Sequence, residues 1–192
     1  MKKKLTIVFF LSFLSLHLFA QKKEISMDIR GDFDITLIFG RGISVSISPT
    51  GQLDWHAGSN SSFEYYDGFD GDYRSGKIKR IGNVQVDYFD QFNRSEKIGR
   101  VSRIGSFNID YYDTFSDDAK KGKISKIGNI LIDYCDRFNR DEKKGKVSRI
   151  GSVQVDYFDV FNDDAKIGKI KQIGNVHFDY FDRFANDSQR GK

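Results

Sequence analysis

The pair Ile81-Gly82 returns at Ile104-Gly105, Ile127-Gly128, Ile150-Gly151 and Ile173-Gly174, each time 23 residues further on. Asp87-Tyr88 keeps the same step at Asp110-Tyr111, Asp133-Tyr134, Asp156-Tyr157 and Asp179-Tyr180. A fixed period without insertions makes each copy one supersecondary unit, which buries its apolar face only by stacking on its neighbours. The chain is therefore a repeat protein before any other property is considered.

Each Ile-Gly pair is followed by Asn or Ser and flanked by β-branched residues. Gly first and Asn or Ser second predicts a two-residue type II′ hairpin loop, which needs positive φ at its first central position. Such a loop at Gly82-Asn83 sets Ile81 opposite Val84, then Lys79 opposite Val86 and Lys77 opposite Tyr88. Strand alternation places Ile81, Val84, Val86, Tyr88 and Phe92 on one face, called face one. Face two carries Ile78, Arg80, Gln85, Asp87 and Phe89. A five-residue return loop at Asn93 to Lys97 sets Val86 opposite Ile104 and Phe89 opposite Val101. A four-residue loop would turn Ile104 to the wrong side, since a one-residue slip flips every side chain. The expected fold is all-β: an antiparallel meander of tandem hairpins, strongly twisted over face one or closed into a roll.

A longer period overlies the first. The turns alternate Gly-Asn and Gly-Ser, and the loops alternate with them. Asn93-Arg94-Ser95-Glu96-Lys97 returns as Asn139-Arg140-Asp141-Glu142-Lys143, 46 residues on. Ser116-Asp117-Asp118-Ala119-Lys120 returns as Asn162-Asp163-Asp164-Ala165-Lys166. The duplicated unit is a pair of hairpins.

Repetition begins near residue 63, with Glu64-Tyr65-Tyr66-Asp67 as the back half of a degenerate copy, and runs to Phe184. Residues 185–192 read as a polar tail. Residues 21–62 read as an amino-terminal β cap, because Glu24 to Ile29 and Ile43 to Ser48 alternate polar and apolar and Phe33 to Phe39 forms a third strand. Residues 1–20 read as a secretory signal peptide. Lys2-Lys3-Lys4 precedes an apolar run shorter than a membrane span, and Phe19-Ala20 ends it before Gln21. The chain is then expected to be exported, periplasmic or extracellular, and not membrane-spanning after cleavage. Loss of the three lysines lowers the net charge from +4 to +1. Acids and bases alternate along the rest, without the basic face that nucleic acid requires. The single cysteine, Cys135, excludes an internal disulfide and stands where other copies place an aromatic ring.

The pattern Lys-Ile-x-x-Ile-Gly-x-x-x-x-Asp-Tyr-x-Asp, as in Lys77 to Asp90, resembles tandem repeats of uncharacterised exported bacterial proteins, a likeness that implies no activity. The period is also similar to that of MORN repeats. Their Tyr-x-Gly and Gly-x-Gly signatures are absent from the repeats, so this second likeness implies architecture alone.

For chemistry, no nucleophile motif, phosphate loop or His-carboxylate pair stands out, and His56 and His177 lack metal-ligand spacing. The acids recur in every copy, whereas an active site is one asymmetric constellation. No enzyme and no cofactor are expected. Asp87, Asp90, Asn93 and Glu96 recur as Asp133, Asp136, Asn139 and Glu142 and suggest a calcium-stabilised array. Yet Asp87 and Asp90 point to opposite faces, and oxygen ligands must converge. The candidate binding residues are Phe89, Tyr112, Phe158 and Phe181, an aromatic stripe on face two spaced for an envelope glycan or another protein. The function expected is that of a structural scaffold or binding surface of the bacterial envelope or exterior.

Overall fold

The computed structural model describes residues 5–7 (backbone only), 22–40, 42–59 and 61–181. Most of the expected signal segment and all of the polar tail, with Phe184, lie outside the described residues. The described elements are all strands. They run β1 (Leu5–Ile7), β2 (Lys22–Met27), β3 (Phe33–Phe39), β4 (Ile43–Ile47), β5 (Leu53–His56) and β6 (Phe63–Tyr65). The hairpins follow as β7 (Ile78–Ile81) with β8 (Val84–Tyr88), β9 (Val101–Ile104) with β10 (Phe107–Tyr111), and β11 (Ile124–Ile127) with β12 (Ile130–Tyr134). β13 (Val147–Ile150) with β14 (Val153–Tyr157) and β15 (Ile170–Ile173) with β16 (Val176–His177) complete the array. Strands β1 to β5 form one antiparallel meander of five strands, and β6 to β16 a second of eleven. The all-β repeat reading holds. No helix among the described residues is long and apolar enough to cross a membrane.

Each hairpin turns as the Gly-Asn and Gly-Ser pairs require. Gly82, Gly105, Gly128, Gly151 and Gly174 all have φ between 54° and 60°. That left-handed region is easy only for glycine. Ile81 stands opposite Val84 and Arg80 opposite Gln85.

The return register is half as expected. Val86 stands opposite Ile104, as the five-residue loop requires, but Val101 stands opposite Tyr88 and not Phe89. A β-bulge between Asp87 and Tyr88 makes the difference, and it recurs at Glu64/Tyr65, Asp110/Tyr111, Asp133/Tyr134 and Asp156/Tyr157. One extra residue, Ser102 in the first case, lies between Arg103 and Val101. The bulge carries Ile78 and its equivalents Val101, Ile124, Val147 and Ile170 onto face one. Assigning Ile78 to face two is thereby corrected. The last four are buried, and Ile78 packs against the core.

The Asp-Tyr pair explains how the bulge is tolerated. A bulge disrupts the ladder locally, and an unpaired amide is costly. The N–H groups of Tyr111, Tyr134, Tyr157 and Tyr180 each donate to the preceding Asp Oδ1 at 2.8 Å. A lysine 13 residues earlier pairs with the same carboxylate: Lys120 with Asp133 (2.6 Å), Lys143 with Asp156 (2.8 Å) and Lys166 with Asp179 (2.6 Å). Burial pushes the Asp133 and Asp156 carboxyls up. These hydrogen bonds and the lysine charge outweigh it and hold both below the ordinary carboxylate range. A carboxyl whose folded pKa is depressed contributes stability that is present above its unfolded pKa and lost as pH falls through the folded value. The melting temperature is therefore expected to hold from neutral pH to about 5 and to fall below about 4. Thermal melts across that range check it, and Lys143→Met should flatten the acid limb.

The apolar face is not closed by curling. The amino-terminal sheet lies on it and makes a two-layer sandwich. Met27, Phe33, Ile35, Leu37, Phe39, Ile43, Val45 and Ile47 share one core with Ile81, Val86, Ile104, Ile109, Ile127, Ile132, Val155 and the tyrosine row. Phe33 meets Tyr134 (6.3 Å between centroids) and Phe39 meets Phe107 edge-on (6.0 Å). At the hairpin end, β4 starts beside Gly82. At the other end its following turn reaches Ile124, whose N–H donates to Pro49 O at 2.7 Å. The upper strands thus cross the lower ones obliquely, as twisted sheets packed face to face do. The β2–β3 turn likewise holds β15, Ile170 N–H donating to Ile29 O at 2.9 Å. The cap is a lid along the array and not a plug at its end. Strand β1 pairs with β2, Leu5 opposite Met27. Cleavage before Gln21 would leave β2 as the edge of a four-stranded lid.

Candidate binding surfaces

Each long return loop begins with Asp, any residue, then Phe. The amide N–H of the Phe donates to the Asp Oδ1 two residues back: Phe69 to Asp67 (2.9 Å), Phe92 to Asp90 (3.0 Å) and Phe115 to Asp113 (3.0 Å). Phe138 bonds to Asp136 (3.0 Å) and Phe161 to Asp159 (3.2 Å) in the same way. An Asp side chain folding back on its own backbone is an Asx turn. Asn93 and Asn139 reinforce it through their amides, at 2.7 and 2.8 Å from the same oxygen.

The turn leaves the ring in solvent. Phe69, Phe92, Phe115, Phe138 and Phe161 are 100, 88, 85, 83 and 78% exposed. Placing Phe92 on face one is corrected here: the strand ends at Tyr88, and the Asx turn breaks the alternation that the assignment assumed. Single exposed apolar residues are ordinary. Five at one position of five consecutive copies form a row along one edge of the sheet. With two strands per copy, successive rings are about 10 Å apart.

The loops are also tied to one another. Glu96 accepts from Thr114 N–H, Asp117 from Arg137 N–H (3.0 Å), and Glu142 from Val160 N–H (3.0 Å). Arg94 pairs with Asp113 and lies over the Phe115 ring (4.7 Å), and Arg140 lies over Phe161 (3.9 Å). Cation–π contact of this kind is worth about 0.5–1 kcal/mol at an exposed site. The row is presented on braced loops.

The expected stripe of Phe89, Tyr112, Phe158 and Phe181 is placed differently. Phe89 and Tyr112 are half-buried, Phe158 is buried, and only Phe181 is exposed, at 47%. The bulge turns these side chains over the tyrosine of the next copy. Phe89 packs edge-on against Tyr111 (6.1 Å), Tyr112 against Tyr134 (6.1 Å) and Phe158 against Tyr180 (6.0 Å). Among the described residues the loop row is more exposed than this stripe. Cys135 takes the same position and is buried, the apolar substitute its place among the rings suggested.

A second row escaped sequence reasoning. Lys77, Arg100, Lys123 and Lys146 open the repeats, and each donates to the carbonyl of a loop glycine 22 residues on, namely Gly99, Gly122, Gly145 and Gly168. Each also lies over the tyrosine of its own copy, at 4.9–5.2 Å from Tyr88, Tyr111, Tyr134 and Tyr157. Burial pulls the Lys77, Lys123 and Lys146 amines down and pushes the Tyr88 phenol up to about 12. These cations are staples between copies, and their recurrence at the head of every Lys-Ile motif was the available signal.

On face two, opposite charges meet across strands: Arg80 with Glu64 (2.7 Å) and Arg103 with Asp87. Among the described residues, no three His, Cys, Asp or Glu side chains converge as a metal site would need. Comparison with known proteins returns no matching family model, curated relative or solved structure.

Proposed function

We propose that this chain is an exported, non-catalytic β-repeat protein that serves as a binding scaffold of the bacterial envelope or exterior, engaging an extended partner along its loop edge. The observation that carries the reading is the row of five loop phenylalanines, each set by an aspartate. Burying a phenylalanine is worth about 1.5–3 kcal/mol. This fold forgoes that gain at the same position of five copies, while the other repeated apolar positions among the described residues are mostly buried. Exposed apolar patches on otherwise well-packed proteins mark interaction surfaces. Equal spacing lets a long partner meet several weak contacts at once, and linkage multiplies them into avidity. The non-catalytic reading is supported by the acids, which are spent on bulges, loop turns and ion pairs. Export is supported by the basic and apolar layout before Gln21.

The test uses the processed chain, whose intact mass beginning at Gln21 checks the export reading. Phe92, Phe115, Phe138 and Phe161 are changed together to Ser. Surface substitutions of this kind leave stability nearly unchanged, so the melting temperature is expected to stay within a few degrees of the parent. Sedimentation with isolated envelope from the producing cell is expected to weaken at least tenfold. Unchanged sedimentation by a folded variant would remove the loop edge from the function.

A further inference from the structure

The long sheet ends at β16, and among the described residues no strand pairs with its outer side. In the earlier copies that side belongs to the next hairpin. The carbonyls of Gln85, Asn108, Leu131 and Gln154 accept from the N–H groups of Gly105, Gly128, Gly151 and Gly174. Phe158 N–H donates to Lys169 O, and its carbonyl accepts from Gly168 N–H. His177 and Phe181 stand at these two positions in the last copy. The side chains change there too. Val86, Ile109, Ile132 and Val155 are buried, but their counterpart Phe178 is half-buried. Val176 is 58% exposed, whereas Val84 and Phe107 at its position are buried. Unpaired backbone groups beside exposed apolar side chains are a template for another strand. We infer that this edge pairs with the same edge of a second copy, joining two eleven-stranded sheets into one across a two-fold axis.

Backbone parity selects the partner. In an antiparallel pair, opposed residues that exchange hydrogen bonds lie on the same face. On β16 the outward backbone groups belong to His177 and Asp179, because Val176 pairs with Ile173 across the turn and Phe178 N–H donates inward to Lys171 O at 2.9 Å. Both are face-two residues. The opposite edge of the sheet is β6. Ser62 and Tyr66, which flank it, bond toward the β7 hairpin through Gly82 and Lys77, so Phe63 and Tyr65 turn their backbone groups outward. These belong to face one, as Phe63 stands opposite Ile81. Antiparallel pairing of β16 with β6 of another copy would run an apolar face into a polar one. Pairing β16 with β16 keeps both faces continuous, and a patch that binds itself closes at two copies.

Side-chain complementarity sets the register. Centred on Phe178, the pairing puts His177 opposite Asp179 of the second copy on both sides of the axis, with the two Phe178 rings adjacent on face one. Aromatic pairs and donor–carboxylate pairs across strands are favourable. Centred on Asp179, it would oppose two like charges, which is destabilising. Gln85, Asn108, Leu131 and Gln154 hold the position of His177 in the earlier copies, so the imidazole is particular to the end of the array. Asp179 Oδ1 already takes Lys166 and the Tyr180 N–H, yet the side chain is 78% exposed and has room for a second donor. Asp87 shows the same double use, accepting from Tyr66 and pairing with Arg103 of the next copy.

Sedimentation velocity of the processed chain over about a hundredfold range of concentration tests the inference. A monomer–dimer equilibrium that stops at two copies is expected. His177→Pro removes an N–H that points out of the sheet and blocks the edge with its ring, so the dimer should weaken at least tenfold. His177→Asp, at an exposed position, sets acid against Asp179 and carries the same expectation should the proline variant fail to fold. His177→Lys should dimerise at least as well as the parent. The loop variant with Phe92, Phe115, Phe138 and Phe161 changed to Ser should also dimerise as the parent does, which separates this edge from the loop row. A monomer throughout, species that grow beyond the dimer, or an unchanged dimer in the folded proline or aspartate variant overturns the proposal. Loss of the dimer in the loop variant overturns it as well.

Discussion

Replacing Ile127 by Lys is expected to unfold the protein or cost it several kcal/mol, while Lys126→Gln next to it changes stability by less than about 0.5 kcal/mol. Ile127 is fully buried, at the centre of the interface between the two sheets. An ammonium placed there loses its water and finds no carboxylate on face one. Lys126 points to the opposite, solvated face, across from Asp110 and Leu131. Chemical denaturation of the two variants measures the difference. Similar losses at both positions would mean that the faces have been assigned wrongly.

The second large effect belongs to the lid. Gly31 sits in the β2–β3 turn with φ +85°, and a Cβ built on it would lie 2.2 Å from Tyr157 Oη and 2.5 Å from its ring. Tyr157 is itself fixed from below, buried and donating its hydroxyl to Val147 O at 2.8 Å. Neither backbone nor ring can yield cheaply. Gly31→Ala is therefore expected to destabilise by about 2–4 kcal/mol, combining left-handed strain with overpacking. Tyr157→Phe removes the nearest atom, so the double variant should lose less than the sum of the two single losses. Strict additivity in a double-mutant cycle would show that the lid and the array do not meet at this point. Gly42 makes the contrast: its φ is +74° but nothing among the described residues lies within 4 Å of a built Cβ, so Gly42→Ala is expected to carry the backbone cost alone.

Both experiments separate what the chain declares locally from what the packing adds. The 23-residue period, the Gly-Asn and Gly-Ser turns and the alternation of β8, β10, β12 and β14 are local properties. A two-residue loop and a period-2 pattern leave one register, and Val86 opposite Ile104 follows from them. The bulge did not follow. It adds one residue in each copy, visible only through the Asp-Tyr pair that satisfies the loosened amide, and without it the count carried Ile78 and Phe89 to the wrong places.

The candidate surfaces divide in the same way. Asp-x-Phe at the start of each loop was legible as an Asx turn, a signal stronger than the strand alternation that was extended through it. That Phe89, Tyr112 and Phe158 pack on the tyrosine of the next copy is not legible in the sequence. It depends on the bulge and on neighbours more than 20 positions away, which the chain does not announce locally.

The sequence by itself determined the all-β repeat, the hairpin register and the apolar character of face one, because each rests on contacts between residues near in the chain. What covers face one was decided by the tertiary structure alone. An apolar sheet face can be buried by curling, by closing or by a second layer, and all three remove similar apolar area from water. Gly31 and Gly51 let the lid approach Tyr157 and Tyr111, and Gly105 lets the array approach Phe39, closely enough for the second layer to fit. Complementarity of that kind, between residues more than fifty positions apart, has no local pattern to announce it.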